Sequence, residues 1–230
     1  GKTTLLRAMT GDVPYGGTVT LNGRDTRDHK PWELAALRAV LPQSAVLAFP
    51  FTVIEVVRLG LQAGTSAMQT EIPMDALARV GLAHYADRFF QELSGGEQQR
   101  VHLARVMAQV WQPQQGGIPR WLLLDEPVAS LDIANQLEVM DIARSYAAAG
   151  GGVVAVMHDL NLTAMFADHV AILAAGRCLA AGSPDQVMTD GILSKAYGCT
   201  LRVNTPPQTA ATYVLPHSAA SVKARRTPAI

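Results

Sequence analysis

Residues 121–159, WLLLDEPVASLDIANQLEVMDIARSYAAAGGGVVAVMHD, decide the fold. Trp121-Leu122-Leu123-Leu124 and Val153-Val154-Ala155-Val156-Met157 are continuous apolar runs of strand length. Runs without polar alternation suit parallel strands, which are buried on both faces. Between them, residues 132–148 carry Ile133, Leu137 and Met140 at helical spacing and predict a crossover helix. Strand, helix and strand in this order make a βαβ unit, so the class is α/β.

Upstream, residues 1–9 read as a helix with Leu5, Leu6 and Met9 on one face. Thr18-Val19-Thr20-Leu21 alternates polar and apolar, and Asn22-Gly23 is a strong hairpin-turn signal. Ala39-Val40-Leu41 is a short strand ending at Pro42-Gln43. Residues 52–60, 74–80 and 97–111 read as helices, and Gly64-Thr65-Ser66 and Gln112 to Pro119 as loops. Downstream, Val170 to Leu173 and Cys178 to Ala180 flank Gly176 as a hairpin. The tail from Thr205 is rich in Pro and Ala, with one strand candidate at Thr212 to Leu215. No internal repeat or clear linker separates independent domains.

The 230 residues are 49% hydrophobic, enough for a sizeable core. Lys+Arg and Asp+Glu both number 19. A neutral chain lacks the footprint of a nucleic-acid binder, whose affinity rests on phosphate neutralisation. The basic cluster Lys223, Arg225 and Arg226 reads as a solvated tail. Cys178 and Cys199 form no CxxC pair and suit a reducing compartment. No apolar run approaches the roughly 18–20 residues of a membrane span. There is no signal peptide, but the chain opens at Gly1 rather than Met, so that absence carries little weight.

Ligands of open parallel sheets bind outside the carboxyl ends of the strands. Three predicted strands end there in polar groups: Gln43, the pair Asp125-Glu126, and His158-Asp159. One such residue could simply terminate a strand; three on one sheet edge favour a shared site. Gly1-Lys2-Thr3-Thr4 opens the first helix and matches the end of the phosphate loop G-x-x-x-x-G-K-[ST]. In that motif Lys2 reaches the β- and γ-phosphates and the Thr3 hydroxyl binds Mg²⁺. Asp125, after an apolar strand, fits the carboxylate that helps to hold this ion. Adjacent residues at a strand end diverge, which leaves Glu126 to act as general base toward water. An isolated Asp-Glu-Pro could equally cap a helix. Ser94 and Glu97 fit a capping box. Yet Gly95 and Gly96 in the same first turn cost roughly 1 kcal/mol each relative to Ala. Their use is close approach of backbone N–H groups to an anion.

Leu93-Ser94-Gly95-Gly96-Glu97-Gln98-Gln99-Arg100 resembles the signature motif of ABC ATPases. It precedes WLLLDEP, then Ser130-Leu131-Asp132, then Met157-His158-Asp159, in the order that family shows. With GKTT and Gln43, the resemblance covers about residues 1–200. It implies a P-loop NTPase (RecA-like) core with an antiparallel β segment and an inserted helical subdomain, all in one domain over 1–230. The nucleotide-binding core would span 1–43 and 110–200, the helical subdomain 44–109, and a C-terminal extension 201–230. ATP and Mg²⁺ are the implied cofactors. The nucleotide would be sandwiched between two copies, with Gly1, Lys2, Thr3 and Thr4 of one facing Ser94, Gly95 and Gly96 of the other. Asp132 would lie at that interface, Gln43 would sense Mg²⁺ and water, and His158 would contact the γ-phosphate and orient attack. Implied partners are transmembrane permease subunits and, indirectly, a periplasmic substrate-binding protein. The implied location is the cytoplasmic face of a bacterial inner membrane.

Within the family, residues 38–43, 48–53 and 55–57 look like the haem-importer ATPases and their relatives for iron-siderophores and cobalamin. The segment Val110 to Arg120 and strand candidates closing on Val214-Leu215-Pro216 resemble the haem group. Val128 departs from the small hydroxyl residue common after DEP, and Thr3 replaces the frequent Ser while keeping the hydroxyl. A non-transport ABC protein of DNA repair or translation would show long coiled coils or two cassettes, and neither is present here. Intact Lys2, Asp125, Glu126 and His158 argue against an inert product. Because the chain enters partway through the phosphate loop, residues 1–230 alone are expected to bind ATP poorly: most of the N–H groups that surround the β-phosphate precede Gly1.

Overall fold

Apolar runs too continuous to leave a face in water demand cover on both sides, and the strand register follows from that. The computed structural model describes residues 1–43, 47, 49–63, 69–207 and 212–219. Helix α1 (Lys2–Thr10) leads to a hairpin of β1 (Thr20–Leu21) and β2 (Arg24–Asp25), then α2 (Pro31–Leu37) and β3 (Arg38–Leu41). Helices α3 (Val53–Ala63), α4 (Ile72–Arg79) and α5 (Gly95–Gln109) follow. A second hairpin, β4 (Gln114–Gln115) and β5 (Ile118–Pro119), precedes β6 (Trp121–Asp125), α6 (Ile133–Ala148) and β7 (Gly152–Val156). The remainder is α7 (Leu160–Phe166), β8 (Val170–Ala174), β9 (Arg177–Gly182), α8 (Pro184–Val187) and α9 (Asp190–Tyr197). Two compact units divide the chain: Thr3–Met157, and His158–Ile230 with Gly1–Lys2.

In the larger unit, β3, β6 and β7 form a parallel sheet in the order β3-β6-β7. Leu41 pairs with Leu124, and Asp125 with Val156, so the carboxyl ends align on one edge. Leu122, Leu123 and Leu124 are buried, as their unbroken apolar run requires. Helix α5 packs against β3 and buries Val101, Leu103, Val106 and Met107. Helices α3 and α4 in turn cover α5. The crossover α6 buries Val139, Met140, Ala143 and Tyr146.

The smaller unit is built on the antiparallel pair β8-β9, whose Ala175-Gly176 turn has both residues at positive φ. Its core gathers Ile172, Val187, Met188 and Leu193. Asp190 at the start of α9 accepts the Val203 N–H at 2.7 Å and so folds the following segment back onto the helix.

Several expectations from sequence need correction. The stretch Gln112 to Pro119 is not all loop: Gly116 and Gly117, at φ 59° and 78°, form a two-residue hairpin turn. Thr212 to Leu215 is in no strand, since no described segment offers it a partner. A 3₁₀ turn, Pro216–Ser218, follows it. Leu5 and Ile133 point outward, 47% exposed each, while Leu6 and Met140 are buried on their helices. Gly64-Thr65-Ser66, Ala48, Lys223, Arg225 and Arg226 lie outside the described residues. Both cysteines are exposed free thiols. Among the described residues, no helix is long and apolar enough to cross a membrane.

Candidate functional site

The aligned carboxyl edge of the sheet brings together residues far apart in sequence. Asp125 ends the buried central strand and is only 3% exposed. The Thr3 hydroxyl, in the first turn of α1, donates to Asp125 Oδ1 at 3.2 Å. Burial of a carboxylate requires such a partner. Glu126 follows in a left-handed conformation, φ 53°, and its N–H donates to Val156 O at 3.1 Å. This abrupt turn separates half-buried Glu126 from buried Asp125, an arrangement that strand periodicity alone did not reveal. Gln43 is exposed two residues beyond the end of β3. Lys2 and Thr3 are half-buried, and Gly1 and Thr4 exposed.

In the smaller unit, His158 is its first residue after Met157 and is exposed. The next residue, Asp159, caps α7 by accepting the Leu162 N–H at 2.9 Å.

Ser94, Gly95, Gly96 and Asp132 come together elsewhere in the larger unit. With Glu97, Arg100, Ser130, Leu131 and Asn135 they line a groove of about 500 Å³. Neither Thr3 nor Asp125 lines it. Ser94 caps α5: its N–H and hydroxyl both donate to Glu97 Oε2, at 2.8 and 2.7 Å. The Ser94 hydroxyl, then its N–H, hold the Glu97 carboxyl below the usual range, with a smaller contribution from Arg100. Asp132 caps α6 by accepting the Asn135 N–H at 2.9 Å and its side-chain amide at 2.7 Å. The Asn135 N–H chiefly lowers the Asp132 pKa, and Arg100 again adds to it. The capped N-termini of α5 and α6 thus open on one groove.

Sequence reasoning passed over Arg100, Leu131 and Asn135 as individual groove residues, although it quoted the motifs holding the first two. Glu97 and Arg100, three apart on one helix, were the available signal.

Comparison with known proteins bears on this geometry. The model of the family described as ABC transporter matches residues 1–129. The Hemin import ATP-binding protein HmuV of Roseobacter denitrificans is 78% identical over 219 residues, covering 95% of this chain and 84% of that protein. The proteins of the same name from a Jannaschia species and a Ruegeria species are 69% and 61% identical, each over 95% of this chain and over 81% and 84% of their own lengths. Among solved structures, a bacterial Atm1-family ABC exporter with ATP bound superposes with a TM-score of 0.71 at 25% identity, over 86% of this chain and 35% of that one. A nucleotide-free ATP-binding cassette from an ABC transporter gives 0.66 at 21% identity, over 86% of this chain and 80% of that one, and shows the fold alone. The parallel sheet, the order of the motifs and relatives of this identity agree: the chain belongs to the ABC transporter family, as an ATP-binding ATPase of that family.

Proposed function

We propose that this chain is the ATP-hydrolysing subunit of a haem importer. The observation that carries the ATPase assignment is the bond between Thr3 and buried Asp125, 122 residues apart. Two hard oxygen donors suit Mg²⁺, which takes one or two protein ligands and keeps its other positions for phosphate oxygens and water. Thr3 and Asp125 would hold the ion, with Gln43 at the neighbouring strand end, and once bound it neutralises charge on the β- and γ-phosphates. Lys2, with Gly1 and Thr4 beside it, binds the same phosphates. Glu126 takes a proton from water as the water oxygen bonds to the γ-phosphorus and the bond to ADP breaks. His158 contacts the γ-phosphate and orients that attack.

Ser94, Gly95, Gly96 and Asp132 serve the nucleotide of a second copy. The groove they line includes neither Thr3 nor Asp125, which supports a site completed across a dimer. Residues 1–43 and 110–200 act as the nucleotide-binding core, 44–109 as the helical subdomain and 201–230 as an extension. The loop after Gln43 meets transmembrane permease subunits at the cytoplasmic face of a bacterial inner membrane, with a periplasmic binding protein delivering cargo from the other side.

Haem as cargo is supported by the name that relatives of 51–78% identity share. Reconstitution of the full-length subunit with its permease tests it. ATP hydrolysis is expected to rise with haem-loaded binding protein inside the vesicles. A rise with cobalamin or a ferric siderophore instead would reassign the cargo, and absence of Mg-ATP hydrolysis would overturn the ATPase assignment.

A further inference from the structure

The two signature glycines occupy different surroundings. A Cβ placed on Gly95 meets no neighbouring element within 4 Å among the described residues. A Cβ on Gly96 would lie 3.1 Å from Leu131 Cδ2 and 3.5 Å from Ser130 O. The first contact is tighter than side chains ordinarily tolerate. Leu131 therefore fills the space that a side chain at Gly96 would need. It is half-buried in the turn between Glu126 and α6, and makes no part of the capping bonds at either helix.

We infer that Leu131 is a positioning residue, which seats against Gly96 and fixes the N-terminus of α5 relative to the turn that carries Asp132. The inference rests on the function proposed above and adds a residue to it. Arg100 reinforces the same junction electrically, since its charge acts on both Glu97 of α5 and Asp132 of α6. The turn is also tied back to the proposed base. The Leu131 N–H donates to Val128 O at 3.3 Å, and the Ala129 N–H to Glu126 O at 3.3 Å. Gln136 Nε2 donates to Val128 O at 3.3 Å and anchors the turn to α6. Movement of α5, when its N-terminus engages a partner's nucleotide, thus reaches the turn bearing Glu126 through one apolar contact and two backbone bonds. A side chain acting this way leaves ATP binding intact and alters the hydrolytic step.

The test is made in the full-length subunit assembled with its permease, measuring ATP hydrolysis and thermal midpoint. Leu131→Ala is expected to lower kcat about tenfold with KM for ATP within about twofold, because a displaced turn costs alignment rather than binding. Leu131→Met keeps the apolar contact and should retain most activity. Gly96→Ala should also lower kcat, because its methyl displaces Leu131. The double variant Gly96→Ala/Leu131→Ala removes the isopropyl group that the methyl at position 96 would meet. It should exceed Gly96→Ala alone by about threefold or more, the non-additivity of touching residues. Wild-type kcat in Leu131→Ala would overturn the inference, as would a double variant whose loss is the product of the two single losses. If Leu131→Ala lowers the yield of folded protein, the double variant and Leu131→Met still decide the matter. Failure here leaves the ATPase assignment standing, because that assignment is read separately, from Mg-ATP hydrolysis by the unchanged subunit.

Discussion

Glu126 holds a backbone conformation that a residue with a side chain adopts at a cost on the order of 1–3 kcal/mol. Its φ of 53° is kept because its N–H is tied to Val156 O and its carbonyl accepts the Ala129 N–H. The strain turns the chain between two neighbouring carboxylates. Asp125 accepts from the Thr3 hydroxyl, and Glu126 is the one proposed to act on water. Glu126→Gln keeps size and backbone but cannot accept the proton. It should abolish steady-state hydrolysis, by about 100-fold or more for loss of a general base. ATP should still bind, and the ATP-bound dimer should accumulate on gel filtration. Normal turnover in Glu126→Gln would remove this residue from the mechanism.

At the scale of elements, the helices that support the signature are held by one close crossing. A Cβ on Gly60 of α3 would lie 2.0 Å from the Arg105 carbonyl oxygen of α5. Backbone cannot yield as a side chain does, so Gly60→Ala should destabilise the protein by about 1–3 kcal/mol or more, read as a lower denaturant midpoint. The start of α5 also depends on pH. The Glu97 carboxylate accepts both Ser94 donors and titrates below its ordinary value of 4.5. Its folded pKa is depressed, so the cap is fully formed above that ordinary value and is lost as pH falls through the lowered one. Carboxyl titration followed by NMR should find that low midpoint, and Ser94→Ala should raise it; an unchanged midpoint would deny the cap its role. The sequence showed these elements unevenly, for physical reasons. Strand β6 and the capping box were legible because an unbroken apolar run and a Ser-x-x-Glu spacing are local signals. Thr212 to Leu215 has the composition of a strand, but a strand also needs a neighbour, which its own residues cannot supply. The hairpin at Gly116-Gly117 was obscured by polar flanks, because its ladder is closed by the Arg120 N–H donating to Pro113 O. The outward turn of Leu5 and Ile133 reflects what packs beside each helix, which periodicity alone does not specify. In the candidate site the motifs marked the chemical groups, whereas the Gly96–Leu131 contact joins two of them across space and leaves no local trace.

At the scale of the whole molecule, the proposed site is divided between copies, and that division can be tested by complementation. Lys2 and Thr3 lie at one end of the chemistry, and Ser94 to Gly96 open on a groove that Thr3 and Asp125 do not line. If each nucleotide lies between the phosphate loop of one copy and the signature of the other, a symmetric dimer has two equivalent composite sites. Lys2→Ala removes the cationic phosphate ligand from both, and Ser94→Arg fills both grooves with a long side chain, so either variant alone should be inactive. Co-assembled with the permease, the two variants form mixed dimers. In these, one site carries both lesions and the other carries neither: the intact phosphate loop of the Ser94→Arg chain faces the intact signature of the Lys2→Ala chain. Random assembly at equal amounts makes half of the dimers mixed, each with a single sound site, so hydrolysis should return to at most about a quarter of the wild-type rate if the sites act independently. A site contained within one chain predicts no recovery at any ratio. Recovery with a maximum near equal proportions would therefore support a shared site, and flat inactivity across all ratios, with mixed dimers verified by differential tagging, would refute it.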